Sequence, residues 1–507
     1  MLKPASPSLT ENKKENRACA LFSFGVFAFF VVFYVFVHPA VLLDADDWTY
    51  ISCSRAALPS TKFFNPCRIL PEVLMPLCGD LAAWVLEPLT GSYMRSVTVM
   101  CALFISAFTA LYAHEFLGLL RRKFSASAFS ACLLTAVFLT LHFLVLRSQQ
   151  EYNTHLFWSY SVTGYFYYNI PILLNCALVF RFLSTDVLDA FWEKERLAEK
   201  AVLVCAVYFA VFSNLFGSIV LFGYCCVEVL SGFFRMLREK QSFGAFLKGR
   251  AAHLAIGVLW FFSAMLELQG DRAGAVEQSN LWYNILEVCG NLRASLSAVN
   301  RPCLLLCLLL FAAYLALAAG KKKQGSAPAG LLPRCLGCAL VILLLLVVLC
   351  AASERLYIMR AYVQLAVWAF VLAAAVLCLQ ALVGRFDRLT LALPLLLCVL
   401  VSLTNTNLRT FADCNVLYLT GEQCIAVGED LIAQAQDAEA AGETELELQV
   451  IDAGSGDNWP HTTYLGDRFA DTLFKHGLTN RRLSITAVPS GEINEKYAIG
   501  ALGRNAE

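Results

Sequence analysis

The sequence predicts an α-helical protein that crosses a membrane about eleven times and ends in a small polar α/β segment. Three observations predict this class. The chain has 507 residues, of which 58% are hydrophobic and 15% are charged, and its mean hydropathy is +0.62. Its apolar residues are gathered in runs of about 20, the length that spans a bilayer. The composition becomes polar only from residue 404 onwards. Together these features exclude an ordinary soluble globular protein.

The N-terminal tail, residues 1–17, is basic and precedes the first apolar run. It contains Lys3, Lys13, Lys14 and Arg17, and basic residues beside a span favour the cytoplasmic side. No small-residue cleavage site follows the apolar run, so we expect a retained transmembrane helix and not a signal peptide. The tail is therefore predicted to be cytoplasmic.

The transmembrane part, residues 18–403, alternates apolar segments with loops. The apolar segments lie near residues 18–38, 96–119, 126–146, 165–183, 201–212, 217–234, 251–268, 303–320, 335–352, 361–383 and 389–403. The loops rich in Lys and Arg contain residues 121–123, 194–200, 235–250, 321–323 and 385–388. By the positive-inside rule these loops are cytoplasmic, which places the N-terminus inside and the C-terminus outside.

Residues 201–234 lie between two basic loops but are too short for two ordinary spans. The sequence SNLFGS, which contains Asn214 and Gly217, interrupts them. We predict a hairpin of two short or tilted helices whose tip points to the outer face from within the membrane. Non-helical backbone at that depth must be buried in protein or line a wet cavity. One long kinked helix is the alternative, although it would invert the later loops against the charge rule.

The predicted outer side holds the longest loops. The first, residues 39–95, is rich in proline and longer than a connector requires, so we expect short amphipathic helices along the membrane surface. Two later outer loops contain Glu151 and Arg272, and a last short loop, SERLYIMR, contains Arg355 and Arg360.

Residues 404–507 are predicted to form a small extracytoplasmic α/β domain. The sequence TELELQVID alternates with the period of a strand, and SITAVP is a second strand candidate. Between them, GDRFADTLFKHGL is an amphipathic helix closed by Gly477. A domain of this size is only marginally stable alone, so we expect it to pack on the membrane part.

Most of the 20 cysteines lie in apolar segments, where Cys acts as a small hydrophobic residue. Their spacing is not a zinc pattern, apart from a lone CxxC at Cys335 and Cys338. The predicted outer cysteines could form disulfides in an oxidising compartment, with the pairing left open. These are Cys53, Cys67, Cys78, Cys289, Cys414 and Cys424.

A cluster of carboxylates follows the first apolar run, where HPAVLLDADDWTY places Asp44, Asp46 and Asp47 at the membrane surface. Acidic groups are costly near hydrocarbon, so such a cluster is a candidate functional site. Several arginines are predicted on the same side, and guanidinium groups bind phosphate oxygens bidentately. The structural alternatives are a solvated helix cap for the acids and membrane anchoring for the individual arginines.

Six short motifs occur in an order that carries a resemblance. They are DADDWTY after the first helix, NPCR with Arg68, SYSVTGYFYYN, SNLFGS, LQGDRAG with Arg272, and SERLYIMRA. In this order they resemble the bacterial GT-C-type membrane glycosyltransferases and are most similar to the Gtr-like glucosyltransferase branch. Two motifs depart from the family pattern, since GDRAG replaces a GNxxR-like element and CR replaces GR. The resemblance implies a fold in which an acidic residue on the outer face activates an acceptor, with a polyprenyl-phosphate sugar as donor.

The activity implied is an inverting transfer of a hexosyl or pentosyl group to a cell-surface glycan or a lipid-linked acceptor, in the bacterial cytoplasmic (inner) membrane. Attack by an acceptor hydroxyl needs a general base, which we predict to be Asp46 or Asp47. The departing lipid phosphate needs cations and not a proton. The residues predicted to bind that phosphate are Arg68, Arg272, Arg355 and Arg360. The residues predicted to line the substrate site are Asp44, Trp48, Glu151, Trp158, Tyr168 and Asn214.

The expected partners are the polyprenyl-phosphate-linked sugar, its acceptor and membrane lipids, and no nucleic acid. No cofactor is certain, although the second carboxylate could hold a divalent cation, Mg²⁺ or Mn²⁺. A transporter or flippase of a lipid-linked or anionic substrate is the alternative from another class. It predicts charges near helix midpoints and a repeat between halves, and neither is visible in the sequence. A polysaccharide polymerase or ligase would use the same donor class with another acceptor.

Overall fold

The computed structural model describes residues 9–58, 65–146, 155–189, 191, 196–268, 280–319, 330–407, 411–412, 415, 417–462 and 464–500. Up to residue 407 the described elements are helices. They are α1 (Leu9–Val32), α2 (Ala45–Tyr50), α3 (Ile69–Leu81), α4 (Glu87–Thr90), α5 (Tyr93–Phe124), α6 (Ala128–Leu144), α7 (Val162–Gly164), α8 (Ile170–Ser184), α9 (Leu197–Val211), α10 (Leu215–Glu239), α11 (Phe243–Leu268), α12 (Leu281–Ser295), α13 (Arg301–Ala319), α14 (Leu331–Ala352), α15 (Ala361–Val383) and α16 (Leu393–Asn407). Short π-helical segments, Phe33–Val37, Ala82–Leu86 and Tyr165–Asn169, extend α1, join α3 to α4 and join α7 to α8.

The chain is a multi-pass helical membrane protein, as the sequence predicts. In the described ranges, nine helices are long and apolar enough to cross a bilayer, and two shorter apolar helices, Ala128–Leu144 and Arg388–Thr404, coincide with two further predicted spans. The number of long helices is below the predicted eleven because hydropathy alone does not fix helix length. The segment predicted at 201–212 lies in α9, which has 15 residues.

The centre of the bundle is formed by α5, α8 and α15. Helices α8 and α15 are buried along most of their length and are apolar on all sides, as expected of a helix surrounded by others. Aromatic rings fill the space between α5, α6 and α8, where the Phe116 and Phe138 rings stack with centroids 3.9 Å apart and Phe180 lies 5.3 Å from Phe116. This packing holds α5, α6 and α8 together as one bundle.

The predicted interruption near residue 214 separates α9 from α10. The Asn214 side chain caps α10 by accepting a hydrogen bond from the Phe216 amide at 2.9 Å, and the Phe212 carbonyl accepts one from the Ile69 amide at 2.9 Å. The chain therefore forms two helices here and not the single kinked helix of the alternative. The second of them, α10, has 25 residues and is longer than predicted.

The first predicted outer loop contains a feature that the sequence analysis missed. Instead of several short amphipathic helices, Ile69–Thr90 is one helical segment of 22 residues that is apolar enough to be a candidate span. Pro71 lies in its first turn, where the missing N–H is tolerated, and the helix continues through Pro76 in its interior, so the prolines did not break the helix as expected. Its middle contacts the C-terminal segment, since Asp80 lies 3.7 Å from His476.

Charged pairs collect at one end of the bundle. Arg121 pairs with Glu15 at 2.9 Å, Lys123 with Asp186 at 4.0 Å and Arg250 with Asp189 at 2.9 Å. These groups lie near the C-terminal ends of α5 and α8. The opposite ends of the same two helices approach the carboxylate cluster and the C-terminal segment.

The C-terminal segment contains α17 (Gly421–Ala440), β1 (Glu445–Ile451), α18 (Leu465–Lys475), β2 (Ser484–Ser490) and α19 (Gly491–Lys496). The strands pair in parallel from Glu445 opposite Ser484 to Ile451 opposite Ser490. A parallel pair needs a crossover, which the helix predicted before Gly477, α18, supplies. Glu429 of α17 accepts a hydrogen bond from the Met94 amide at 2.9 Å, so this segment packs on the start of α5.

The predicted outer cysteines that the structure describes, Cys53, Cys67, Cys78, Cys289 and Cys424, are free thiols. Cys414 lies outside the described residues.

Candidate functional site at the carboxylate cluster

The three aspartates are organised by the start of α2. Asp44 is the N-cap, and its Oδ1 accepts a hydrogen bond from the Asp46 amide at 3.1 Å. In return, Asp47 Oδ2 accepts from the Asp44 amide at 3.2 Å. This reciprocal capping box is what the sequence DADD favours at a helix start, and it brings the carboxylates of Asp44 and Asp47 close together.

Asp47 is fully buried, and both of its oxygens accept hydrogen bonds from the protein. Oδ2 also accepts from the Leu43 amide at 3.2 Å, while Oδ1 accepts from the amide and the hydroxyl of Thr163, each at 2.7 Å. Burial raises the pKa of this carboxyl group, and the hydrogen bonds from Thr163, Leu43 and Asp44 act against that rise. Through its contacts with Thr163, Asp47 connects α2 to α7.

Asp44 has different surroundings. Its side chain is buried, at 6% exposure, and its Oδ2 accepts a hydrogen bond from Trp459 Nε1 at 3.2 Å. Burial, and next the charge of Asp47, raise the pKa of Asp44 to about 7. A carboxylate with a pKa near neutrality suits proton transfer better than an ordinary aspartate does. Asp46 is partly exposed, so it also remains a candidate base.

Arg360 lies at the start of α15 among tyrosines. Its guanidinium donates to the Tyr362 hydroxyl at 2.7 Å and to the Tyr160 hydroxyl at 3.3 Å, and it lies 4.2 Å from the centre of the Tyr357 ring. In the part of the chain that the structure describes, no carboxylate is within ion-pair distance of it. A half-buried cation held only by phenols and rings favours an anionic ligand.

The other predicted phosphate-binding arginines have acidic partners or cannot be placed. Arg68 forms an ion pair with Glu267, and Arg355 forms one with Glu287 at 3.0 Å. Arg272 lies outside the described residues. The charges of Arg68 and Arg355 are thus compensated within the protein, which distinguishes them from Arg360.

Tyr160 connects the acidic and basic parts of the site. Its hydroxyl contacts Arg360, and its ring centroid lies 5.8 Å from that of Trp459, the residue bound to Asp44. Burial and the nearby Asp44 raise the pKa of Tyr160, while Arg360 lowers it. Arg360 therefore lies next to Tyr160 directly, and Asp44 lies near it through Trp459.

The remaining predicted lining residues fall into two groups. Tyr168 lies beside the Arg360 site, with its ring 5.1 Å from that of Tyr362. Trp48 and Trp158 are buried, and Asn214 caps α10, so these three have structural surroundings. Glu151 lies outside the described residues.

Sequence reasoning missed Thr163, Tyr362 and Trp459. Tyr160 lies in the aromatic motif SYSVTGYFYYN, which the sequence had already singled out. Trp459 is separated from Asp44 by 415 residues, and no local pattern indicates that contact.

The carboxylate cluster offers few ligands for a divalent cation. Among the described residues, no group of three or more His, Cys, Asp or Glu side chains is arranged to hold a metal ion. Each Asp47 oxygen already accepts two hydrogen bonds, whereas each Asp44 oxygen accepts one.

Comparisons of the chain with protein-family models, with curated proteins and with solved structures found no match.

Proposed function

We propose that this protein is an inverting membrane glycosyltransferase that moves a sugar from a polyprenyl-phosphate donor to a glycan or lipid-linked acceptor. The observation that carries the proposal is the pairing, across Tyr160, of a cation without a carboxylate partner in the described chain and a buried carboxylate with a pKa near 7. The cation suits the binding of a phosphate, and the carboxylate suits the role of a general base. Glycosyl transfer from a lipid phosphate requires both.

The donor phosphate would bind at Arg360. A guanidinium offers two parallel donors to phosphate oxygens, and the hydroxyls of Tyr160 and Tyr362 could donate to the same anion once it displaces them from Arg360. Arg360 immediately precedes α15, a candidate span. A phosphate bound here would therefore lie at the membrane surface, with its polyprenyl chain in the bilayer beside the helices.

Asp44 is the proposed base. The acceptor hydroxyl attacks the anomeric carbon, its proton passes to Asp44, and the bond from that carbon to the phosphate oxygen breaks. The leaving phosphate keeps the electron pair and needs no proton, because Arg360 compensates its charge. Asp47 would act as a positioning residue that holds the start of α2 against Thr163.

The proposed membrane is the bacterial cytoplasmic membrane, with the site on its outer face. The support is the separation of charges: the ion-paired Arg121 and Lys123 lie at the C-terminal end of α5, whereas the ring of Tyr93, the first residue of α5, lies 6.2 Å from that of Trp48 in the carboxylate helix α2. Helix α5 alone has 32 residues, a length of about 48 Å at 1.5 Å per residue. Basic ends face the cytoplasm, so the N-terminus would be inside and the C-terminal segment outside.

The test is binding of undecaprenyl phosphate to the full-length protein in nanodiscs, with inorganic phosphate in a parallel titration. Arg360→Ala should weaken lipid binding by at least about tenfold, since a lost charge-assisted fork costs about 1.5–3 kcal/mol. Arg360→Lys should restore part of the affinity. Arg95→Ala is the control, because Arg95 is an exposed residue that pairs with Glu422. Equal affinity in wild type and Arg360→Ala would contradict the proposal, and tight binding of free phosphate alone would point to an anion site without lipid specificity.

A further inference from the structure

A short part of the C-terminal segment, residues 457–462 and 464, places aromatic side chains beside the carboxylate cluster. Trp459 donates its Nε1–H to Asp44 at 3.2 Å and its ring lies 5.8 Å from the Tyr160 ring. Tyr464 is 52% exposed, and its pKa is raised by burial and then by the nearby carboxylates of Asp46 and Asp44. Trp459 therefore contacts the proposed base, and Tyr464 is the N-cap of α18, the helix that packs on Trp48 of α2.

This segment is held in place by buried polar contacts. Asn458 is buried, and its backbone φ is 52°. Its side-chain amide donates to the carbonyls of Ile451 at 2.8 Å and His461 at 2.9 Å. The Pro460 carbonyl accepts a hydrogen bond from the Ala45 amide, the first residue of α2, at 3.2 Å. Trp459 is thus positioned from both sides before any ligand binds, as expected for a pre-organised binding residue.

A second set of contacts fixes the following helix, α18, on α2. The Phe469 ring packs edge-on against Trp48 with centroids 4.7 Å apart. The Thr472 hydroxyl contacts the Trp48 carbonyl and lies 2.7 Å from the Ser52 hydroxyl. The C-terminal segment and the carboxylate helix therefore form one packed unit around the site.

We propose that Trp459 and Tyr464 form the binding subsite for the acceptor sugar, so that the C-terminal segment determines which acceptor is used. The proposal rests on the proposed function. Aromatic rings present an apolar face to the C–H face of a pyranose, and their polar groups and the carboxylates of Asp44 and Asp46 suit its hydroxyls. Tyr160 would separate this acceptor side from the donor phosphate at Arg360.

The choice of acceptor over donor follows from position. Trp459 and Tyr464 lie beside the carboxylates, where the attacking hydroxyl must be, whereas the tyrosines around Arg360 come from the segment before α8 and from the start of α15. The tyrosines beside Arg360 are therefore closer to the membrane helices that would carry the lipid.

The experiment is saturation-transfer NMR on the full-length protein in nanodiscs, with methyl glycosides of glucose, galactose, mannose and rhamnose as probes. Wild type should give signals with at least one glycoside. Trp459→Ala and Tyr464→Ala should each weaken that binding by about threefold to tenfold, the range of one aromatic contact. Trp459→Phe should keep most of it. Phe474→Ala is the matched control, since Phe474 is 48% exposed and lies at the far end of α18.

Binding of undecaprenyl phosphate is measured on the same samples. It should be unchanged in Trp459→Ala and Tyr464→Ala, and loss of lipid affinity in either variant would assign these residues to the donor side and overturn the inference. Unchanged glycoside signals in both variants, or none in wild type, would also overturn it. If wild type instead failed to bind the lipid phosphate, the proposed function itself would fail, whatever the glycosides do.

Discussion

Asp44 and Asp47 are three positions apart, but their surroundings give them different properties. Asp47 accepts four hydrogen bonds from backbone amides and the Thr163 hydroxyl, whereas Asp44 accepts one from Asp46 and one from Trp459. A carboxylate already saturated with donors is a poor proton acceptor. The local geometry therefore favours Asp44 as the base among the three aspartates, although the sequence suggested Asp46 or Asp47.

The pH dependence of transfer should report the titration of Asp44. The base must be ionised, so the rate should fall as the pH decreases below about 7, the pKa of Asp44. Trp459→Phe removes a hydrogen bond that lowers this pKa. The acidic limb of the pH–rate profile of this variant should therefore move to higher pH. Initial rates in nanodiscs between pH 5.5 and 9, with Phe474→Ala as control, check this. An unshifted limb in Trp459→Phe would argue that another group titrates.

The same pKa predicts how Asp44 affects stability. Its folded-state pKa of about 7 is above the ordinary value of 3.8, so folding favours the protonated form. The contribution of Asp44 to stability is then fully present below pH 4 and is lost as the pH rises to about 7. The melting temperature of Asp44→Asn minus that of wild type should increase from pH 5 to pH 8. A difference that is constant with pH would contradict the raised pKa.

Asp47→Asn should reduce stability more than Asp44→Asn. An amide cannot accept all four of the donors around Asp47, and its own NH₂ group would face N–H groups, so we expect a loss of about 1–3 kcal/mol. Thr163→Val removes one of the two Thr163 contacts and should cost less. Denaturation followed by tryptophan fluorescence compares the three variants. If Asp47→Asn melts like wild type, its carboxylate is not the structural tie that the contacts indicate.

Among the helices, the break between α9 and α10 depends on close packing at Gly217. A Cβ atom at this position would lie 2.5 Å from Pro171 Cβ, nearer than real contacts allow. Gly217→Ala should therefore force α10 away from α8 and destabilise the protein by about 1–3 kcal/mol. Gly257→Ala is the control, because its Cβ would meet only Phe222 at 3.8 Å. Melting temperatures in detergent compare the two, and equal values would argue against tight packing at the break.

The sequence predicted the spans well because hydropathy is a local property of about 20 residues. It failed at Ile69–Thr90, where prolines suggested interruptions. Pro71 at the start of the helix costs no hydrogen bond, and the helix continues through Pro76 in its interior. It also indicated the break at Asn214, since polar and glycine residues inside an apolar run are local signals as well. Helix lengths and packing partners depend on tertiary contacts and were not predicted.

The acidic cluster and Arg360 could be proposed as candidates from the sequence because charged residues at a membrane boundary are rare enough to be informative. Three things could not be found. The pairing of Arg68 with Glu267 and of Arg355 with Glu287 depends on contacts between distant segments, as does the contact of Trp459 with Asp44. The distinction between a compensated and an uncompensated arginine therefore required the structure.

At the scale of the whole molecule, the charge distribution predicts one orientation in the membrane. A periplasmic reporter fused after Glu507 should be active, and a tag placed at Lys322 should be accessible only from the cytoplasm, because basic loops stay inside. Alkaline phosphatase and GFP fusions expressed in parallel measure the two sides. A fluorescent GFP fusion at Glu507 would place Asp44 and Arg360 on the cytoplasmic side and contradict the proposed reaction.

The central claim, that Asp44 and Arg360 act in one glycosyl transfer, is tested most directly by transfer of labelled sugar from undecaprenyl-phosphate glucose in membranes that contain each single variant. Asp44→Asn should reduce turnover by about 10²–10⁴, as for a lost general base, and Arg360→Ala should reduce it mainly through weaker donor binding. Arg95→Ala should match wild type. Near-normal transfer by well-folded Asp44→Asn and Asp46→Asn would contradict the account and favour a transporter.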